Sequence, residues 1–191
     1  MKAVSPILVR LIASLILLLS FSGISFAQRA MPGRSFVRAE LSSTLNTSHG
    51  FGGGISYGRH LQSSYWAAGV AMDNRAVRLS VGGLLDYTHY YAYAEWMYMA
   101  WTTRTRFMSV YVGGGVFLGY EGYDPYGRLV SYYDHGLGAG MFLYGLRPSV
   151  EYSIYAYKDL SAFCRVSFPM HFGSETGWLK YHLGIGCRYD F

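Results

Sequence analysis

Charge is scarce in this sequence: Asp, Glu, Lys and Arg together make up 14% of its 191 residues, and only three of them are lysine. So little charge would leave much of the surface of a water-soluble domain uncovered. The formal net charge of +5 is mild and scattered along the chain, which excludes the clustered basic stripe of a nucleic-acid-binding surface. Long apolar runs are also missing: after Ala27 no uninterrupted stretch is long enough to cross a membrane as a helix. If the rest of the chain enters a bilayer, strands must do the crossing. Cysteine is confined to Cys164 and Cys187, so no thiol stands near residue 27 for the usual lipid attachment of an exported bacterial protein.

The N-terminus carries Lys2 and Arg10, then an apolar run from Leu11 to Phe21, then Ser25-Phe26-Ala27 before Gln28. A basic start, a short apolar stretch and small residues two apart predict a secretory signal peptide over residues 1–27, cleaved after Ala27. The alternative, an uncleaved helical anchor, has an apolar run of only marginal length. Cleavage leaves fourteen Lys and Arg against eleven acids, a net charge of +3. Aromatics and glycine are abundant, with 19 Tyr, 11 Phe, 4 Trp and 24 Gly. Tyr and Trp collect where a surface is apolar on one side and wet on the other, and glycine gives small curved sheets room to bend.

A period of two runs through the remainder, the spacing that puts alternate side chains on opposite faces of a sheet. At the end, Leu179, Tyr181, Leu183, Ile185, Cys187, Tyr189 and Phe191 alternate with Lys180, His182, Gly184, Gly186, Arg188 and Asp190. Before it, Leu160, Ala162, Cys164, Val166, Phe168 and Met170 oppose Ser161, Phe163, Arg165 and Ser167, and Pro148, Val150, Tyr152, Ile154 and Ala156 oppose Arg147, Ser149, Glu151, Ser153 and Tyr155. Phe107 to Tyr120 and His89 to Trp101 repeat the pattern, with Glu95 on the polar side of the latter. Phe36 to Leu45, Phe51 to His60 and Tyr65 to Met72 complete eight strands. Val77 to Tyr87 either extends its neighbour past a bulge, forms a loop, or adds pairing that raises the count to ten.

The connections alternate in length. Leu61 to Ser64, Thr102 to Thr105 and Tyr157 to Asp159 are short, whereas Asp73 to Tyr87, Glu121 to Gly136 and Phe172 to Trp178 are longer. Outer-membrane barrels have short periplasmic turns and longer outer loops, and strands in lipid must close to leave no unpaired edge. The expected fold is all-β, a small antiparallel up-and-down transmembrane barrel of about eight strands spanning residues 36–191. A short periplasmic segment, 28–35, precedes it, and both termini are periplasmic.

Glu95, Arg147, Glu151, Arg165, Lys180, His182, Arg188 and Asp190 all fall on the inward face. Eight strands leave an interior that side chains fill, so these groups are expected to form a neutralising packed network, with a solute channel as the alternative. The glycine runs Gly50 to Gly54 and Gly113 to Gly115 lack the Lys-Ser/Thr ending and following helix of a phosphate loop. They are read as strand glycines. His171, Ser174 and Glu175 could be imagined as a hydrolase set, but nearness in sequence does not place a base beside a nucleophile. No catalytic residue, cofactor, metal site or small-molecule substrate is expected. Cys164 and Cys187 fall on the outward face at similar heights of neighbouring strands. They allow either a disulfide or two small apolar side chains, depending on whether strand shear carries their Cα atoms beyond ~7 Å. The Tyr-rich stretch Glu121 to Asp134 suits either a contact surface or a solvated cap.

The final strand, with Gly186, Tyr189 and Phe191, is similar to the closing signal read by the barrel-assembly machinery. Beyond that, the chain resembles the TraO family, conjugative-transposon transfer proteins of Bacteroidetes. The pieces that carry the resemblance are Gln28 to Gly33, Ala94-Glu95, Gly119-Tyr120-Glu121, Tyr144-Gly145, and the last third through Ser149, Glu151, Lys158-Asp159, Arg165 and His171 to Glu175. The segment from Asn46 to His89 departs from that pattern. The resemblance implies a structural outer-membrane component of a conjugative DNA-transfer apparatus, in contact with lipid, the assembly machinery and other conjugation proteins, and implies no catalytic residue. A stand-alone barrel for membrane stabilisation or adhesion, and a lipid-modifying enzyme, are the rival expectations. Direct contact with nucleic acid is not expected.

Overall fold

The computed structural model describes residues 32–45, 49–78, 84–123, 141–172 and 179–191. Nine strands appear in chain order: β1 (Ser35–Thr44), β2 (His49–His60), β3 (Ser64–Arg78), β4 (Leu84–Thr102), β5 (Met108–Tyr123), β6 (Met141–Tyr157), β7 (Leu160–Ser167), β8 (Met170–Phe172) and β9 (His182–Asp190). Both β7 and β8 pair with β6, at Ser149–Tyr157 and Tyr144–Leu146 respectively, so they form one stave interrupted at Phe168-Pro169. Proline has no N–H for the ladder and breaks it there, while the Phe168 N–H still donates to the Pro148 carbonyl at 2.9 Å.

Each stave is antiparallel to its neighbours in sequence. One further pairing, β1 with β9, closes the sheet. The architecture is an eight-stave antiparallel β-barrel, as the alternation predicts. The Ser35 N–H donates to the Phe191 carbonyl and the Phe191 N–H to the Ser35 carbonyl, at 3.1 and 2.8 Å, so the start of β1 and the C-terminal residue zip the seam. No helix among the described residues is long and apolar enough to cross a membrane.

Two sequence expectations need correction. Asp73 to Tyr87 is not a loop over most of its length: β3 runs to Arg78 and β4 starts at Leu84 with the register unbroken from Ser64↔Tyr98 to Arg78↔Leu84. The segment lengthens one hairpin instead of adding staves, so the count stays at eight, and no bulge is needed. Likewise Glu121 to Tyr123 belong to β5. The apolar alternation fades past Met72, where Asp73-Asn74-Arg75 follow, but backbone pairing needs no apolar face. The remainder of the long 121–136 connection, the 173–178 connection and the signal segment lie outside the described residues.

The barrel therefore has two unlike ends. The turn end carries residues 61–63, 103–107 and 158–159 and the C-terminus, and the loop end carries 45–48, 79–83 and the two longest connections, 124–140 and 173–181.

Candidate functional site

Inward-facing residues come from every stave, because parity in a closed sheet sends each second side chain into the lumen. Five cations, Arg38, Arg147, Arg165, Lys180 and Arg188, and six acids, Glu40, Asp73, Glu95, Glu121, Glu151 and Asp190, are buried there, together with His60, His89, His171 and His182. The eight inward residues expected from the sequence are all in this set. Arg38, Glu40, His60, Asp73, His89, Glu121 and His171 are additions. The parity of Arg38, Glu40, His60 and His89 is readable in the sequence, whereas Asp73, Glu121 and His171 fall in or beside expected loops, and which residues any of them meet depends on closure.

Glu151 on β6 is the hub. Its carboxylate accepts from Arg165, from Arg188 at 2.5 Å, from Arg38 at 3.4 Å and from the Tyr65 hydroxyl at 2.8 Å. Glu95 on β4 takes a two-pronged contact from Arg165, at 2.8 and 3.0 Å, and a third from Arg38 at 2.9 Å. Arg147 reaches Glu40 at 3.1 Å, and Arg38 also donates to Ser56 and Tyr93, both at 3.1 Å. Arg188 lies over the faces of Phe36 and Tyr65, 4.6 and 4.7 Å from the ring centroids, a geometry that stabilises a desolvated cation. Buried charges persist only when paired and hydrogen-bonded, and here the pairs cross the lumen and tie opposite walls together.

Above and below this knot lie two smaller groups. At the turn end, Asp190 accepts from the Tyr155 hydroxyl at 2.6 Å and meets His60 at 3.2 Å. At the loop end, His89 lies 3.3 Å from Glu121, His182 lies 3.8 Å from Asp73, and His171 packs against the rings of Phe117 and His89. A void of about 10 Å³ bounded by Asp73, Arg147, His171 and His182 is at the lower limit for one water. Glycine makes the knot fit at two close approaches. A Cβ on Gly184 would stand 2.5 Å from Glu40 Oε1, and one on Gly186 would stand 2.5 Å from the Phe163 ring. His171, imagined from sequence as part of a surface hydrolase set, points into this packed interior, while Ser174 and Glu175 lie outside the described residues.

The outer surface is the reverse. Leu41, Ile55, Val70, Val112, Val116, Leu118, Val150 and Ile185 are exposed around its middle. Exposed aromatics flank them: Tyr57, Trp96, Tyr98, Trp101, Tyr157, Tyr189 and Phe191 toward the turn end, and Phe51, Tyr90, Tyr120, Phe142, Tyr144 and Phe172 toward the loop end. Tyr90 and Tyr98 on β4 are eight residues apart, as are Tyr144 and Tyr152 on β6. Eight residues span ~27 Å along a strand, which at a ~40° tilt gives a band of about 21 Å, close to the ~25 Å of an outer-membrane barrel. Between the two girdles no charged side chain of the described residues projects outward, and Arg59 stands outward at the turn-end margin.

Cys164 and Cys187 are exposed free thiols on this surface. The register puts Ile185 opposite Cys164 and Ala162 opposite Cys187. Strand shear thus sets the two on a diagonal and not face to face, and the disulfide expected as one alternative is not formed. In the closing strand Tyr189 and Phe191 stack outward at 6.5 Å, and Tyr57 of β2 approaches Phe191 across the seam at 6.5 Å. Gly186 faces inward between Glu40 and Phe163. Outside the sheet, Arg34 donates to Asp159 at 2.6 Å and to the Asp190 carbonyl at 3.0 Å. The Asp159 hydrogen bond raises the arginine's pKa above its ordinary value.

No protein-family model matches the sequence, and no curated protein matches it. Among solved structures, the chain is similar to Neisserial surface protein A, with 17% identity and a TM-score of 0.60 over 82% of this chain and 97% of that one. It is also similar to Ail, the attachment invasion locus protein of Yersinia pestis, with 14% identity and a TM-score of 0.55 over 84% and 100%. At such identities the likeness is one of fold, and the fold shared is that of a small closed antiparallel β-barrel.

Proposed function

We propose that this chain spans the outer membrane as a plugged barrel and serves as a structural, non-catalytic component of a conjugative DNA-transfer apparatus. The observation that carries the membrane reading is the outer surface: an apolar belt without charge, bounded by two aromatic girdles at a bilayer-matched separation. Short turns and both chain ends at one end favour a periplasmic placement for that end, reached after removal of residues 1–27. The conjugation role rests on the sequence resemblance to TraO. A lumen crossed by Arg–Glu pairs argues that the barrel acts through its loops and turns, touching lipid, the assembly machinery and other transfer proteins, with no DNA passing through it.

Two experiments test the reading. Cell fractionation with gel electrophoresis before and after boiling should give an outer-membrane band whose mobility shifts on heating. A soluble band without a shift contradicts the membrane placement. Deleting the gene in a donor cell should lower transfer frequency and be restored by the complete chain. Unchanged transfer favours the rival role, a stand-alone barrel for stabilising the membrane or for adhesion.

A further inference from the structure

We infer that the turn-end rim is a binding surface for anionic phospholipid headgroups, an inference that rests on the membrane placement proposed above. Arg59, Arg104 and Lys158 are exposed at this rim, and they are spread around it instead of gathered on one side. Arg59 sits on β2, Arg104 in the 103–107 turn between β4 and β5, and Lys158 in the turn between β6 and β7. Arg34 and Arg106 lie at the same end. Against these five cations the described turns supply one acid, Asp159, which Arg34 engages. The other acids of the described turn end are inward, as Asp190 is.

Position distinguishes this ring from an ordinary solvated rim. Arg59 projects outward on the same face as Tyr57, two residues nearer the margin, and its register partner on β3 is Trp66. Its Nε donates to the Gly33 carbonyl at 3.0 Å, which holds the guanidinium at the edge of the girdle. Arg104 follows Trp101 by three residues, and Lys158 directly follows the exposed Tyr157. Each of the three therefore stands just past an aromatic that marks the interface, at the height where headgroup phosphates lie. A compact soluble anion would call for converging cations. A ring of separated, outward-set cations fits a surface of negative charge that surrounds the barrel, which is what an anionic leaflet presents.

The test uses the complete mature chain refolded into phosphatidylcholine vesicles doped with spin-labelled phosphatidylglycerol or spin-labelled phosphatidylcholine. The natural protein should immobilise the anionic probe in preference, by about fivefold if each site behaves as a cation near an anionic surface does. An Arg59→Gln/Arg104→Gln/Lys158→Gln variant should bring the two probes to parity, and Arg59→Lys/Arg104→Lys/Lys158→Arg should retain the preference. Arg75→Gln/Arg78→Gln, at the loop end of β3, should leave it unchanged. Equal immobilisation by the natural protein, or a preference that survives the triple Gln variant, overturns the inference. Loss of the preference in excess free glycerol phosphate overturns it too, since the rim would then bind a soluble anion. Heat-modifiable mobility is read on every sample: a shifting band with no lipid preference refutes the rim alone, and its absence in the natural protein refutes the membrane placement.

Discussion

Ile185 and Arg188 are three residues apart on β9, yet one is 60% exposed and the other fully buried. The belt and the lumen are two regions made by one sheet, and they are specified in different ways. A belt position has to be oily, of roughly the right height, and little else, because the hydrocarbon it meets has no fixed partner atoms. A lumen position has named partners on other walls, and Glu151 alone engages groups from β1, β3, β7 and β9. Substitution should therefore be cheap and graded on the outside, and costly and abrupt on the inside.

The largest test of that contrast is Glu151→Leu. It leaves Arg188 without its acid and leaves Arg38 and Arg165 to Glu95 in a closed interior, and removing one member of a buried network costs ~3–5 kcal/mol. The midpoint of urea unfolding in vesicles should fall steeply, or the folded band should vanish. Val150→Leu, the adjacent outward residue, should stay within ~0.5 kcal/mol of the natural chain. If the two variants unfold alike, belt and lumen are not energetically distinct. Next comes charge placed on the belt: Val116→Arg at mid-height should cost ~2–4 kcal/mol, but Tyr189→Arg at the lower girdle only ~0–1 kcal/mol. A flat dependence on height in the same unfolding assay would mean that these positions do not face hydrocarbon.

The alternation of side chains was legible because parity is a local property: each inward residue named from the sequence is buried in the lumen. Partners were not legible in the same way. Arg38 and Glu151 lie 113 positions apart, and they meet only because β1 joins β9 and the sheet closes at a particular stagger. The same stagger decided the cysteines, whose equal heights in sequence became a diagonal once register was set. Strand length past Met72 is not legible for another reason: apolar alternation reports where lipid ends, while the hairpin ladder of β3 and β4 continues beyond that level. The break at Pro169 could have been read from the proline alone, since it cannot donate to a ladder.

Smaller effects sharpen the picture. Gly184→Ala would thrust a methyl at Glu40 and should cost ~1–3 kcal/mol as overpacking. In Gly122→Ala the new carbon meets nothing nearer than 3.8 Å, so the folded midpoint should hardly move. Arg34→Ala removes a seam contact whose partners are 24% and 28% exposed. Because solvent screens such a pair, the loss should stay below ~1 kcal/mol. The smallest effect is expected from reductant: with no bridge between Cys164 and Cys187, dithiothreitol should change neither gel mobility nor unfolding midpoint, and a shift in either would show that the pair oxidises.

The central claim is that one sheet faces lipid on its outer side and a dry, paired interior on the other. Spin labels placed singly at the outward residues 183, 185, 187 and 189 of β9, in a chain whose native cysteines are replaced by alanine, test it most directly in vesicles. Labels at 183, 185, 187 and 189 should relax strongly with membrane-dissolved oxygen and weakly with a water-soluble nickel chelate, while unlabelled cysteines placed at the inward positions 182 and 190 should resist a water-soluble maleimide in the folded barrel. An absence of this two-residue alternation, or ready access of the nickel reagent to position 185, would contradict the account.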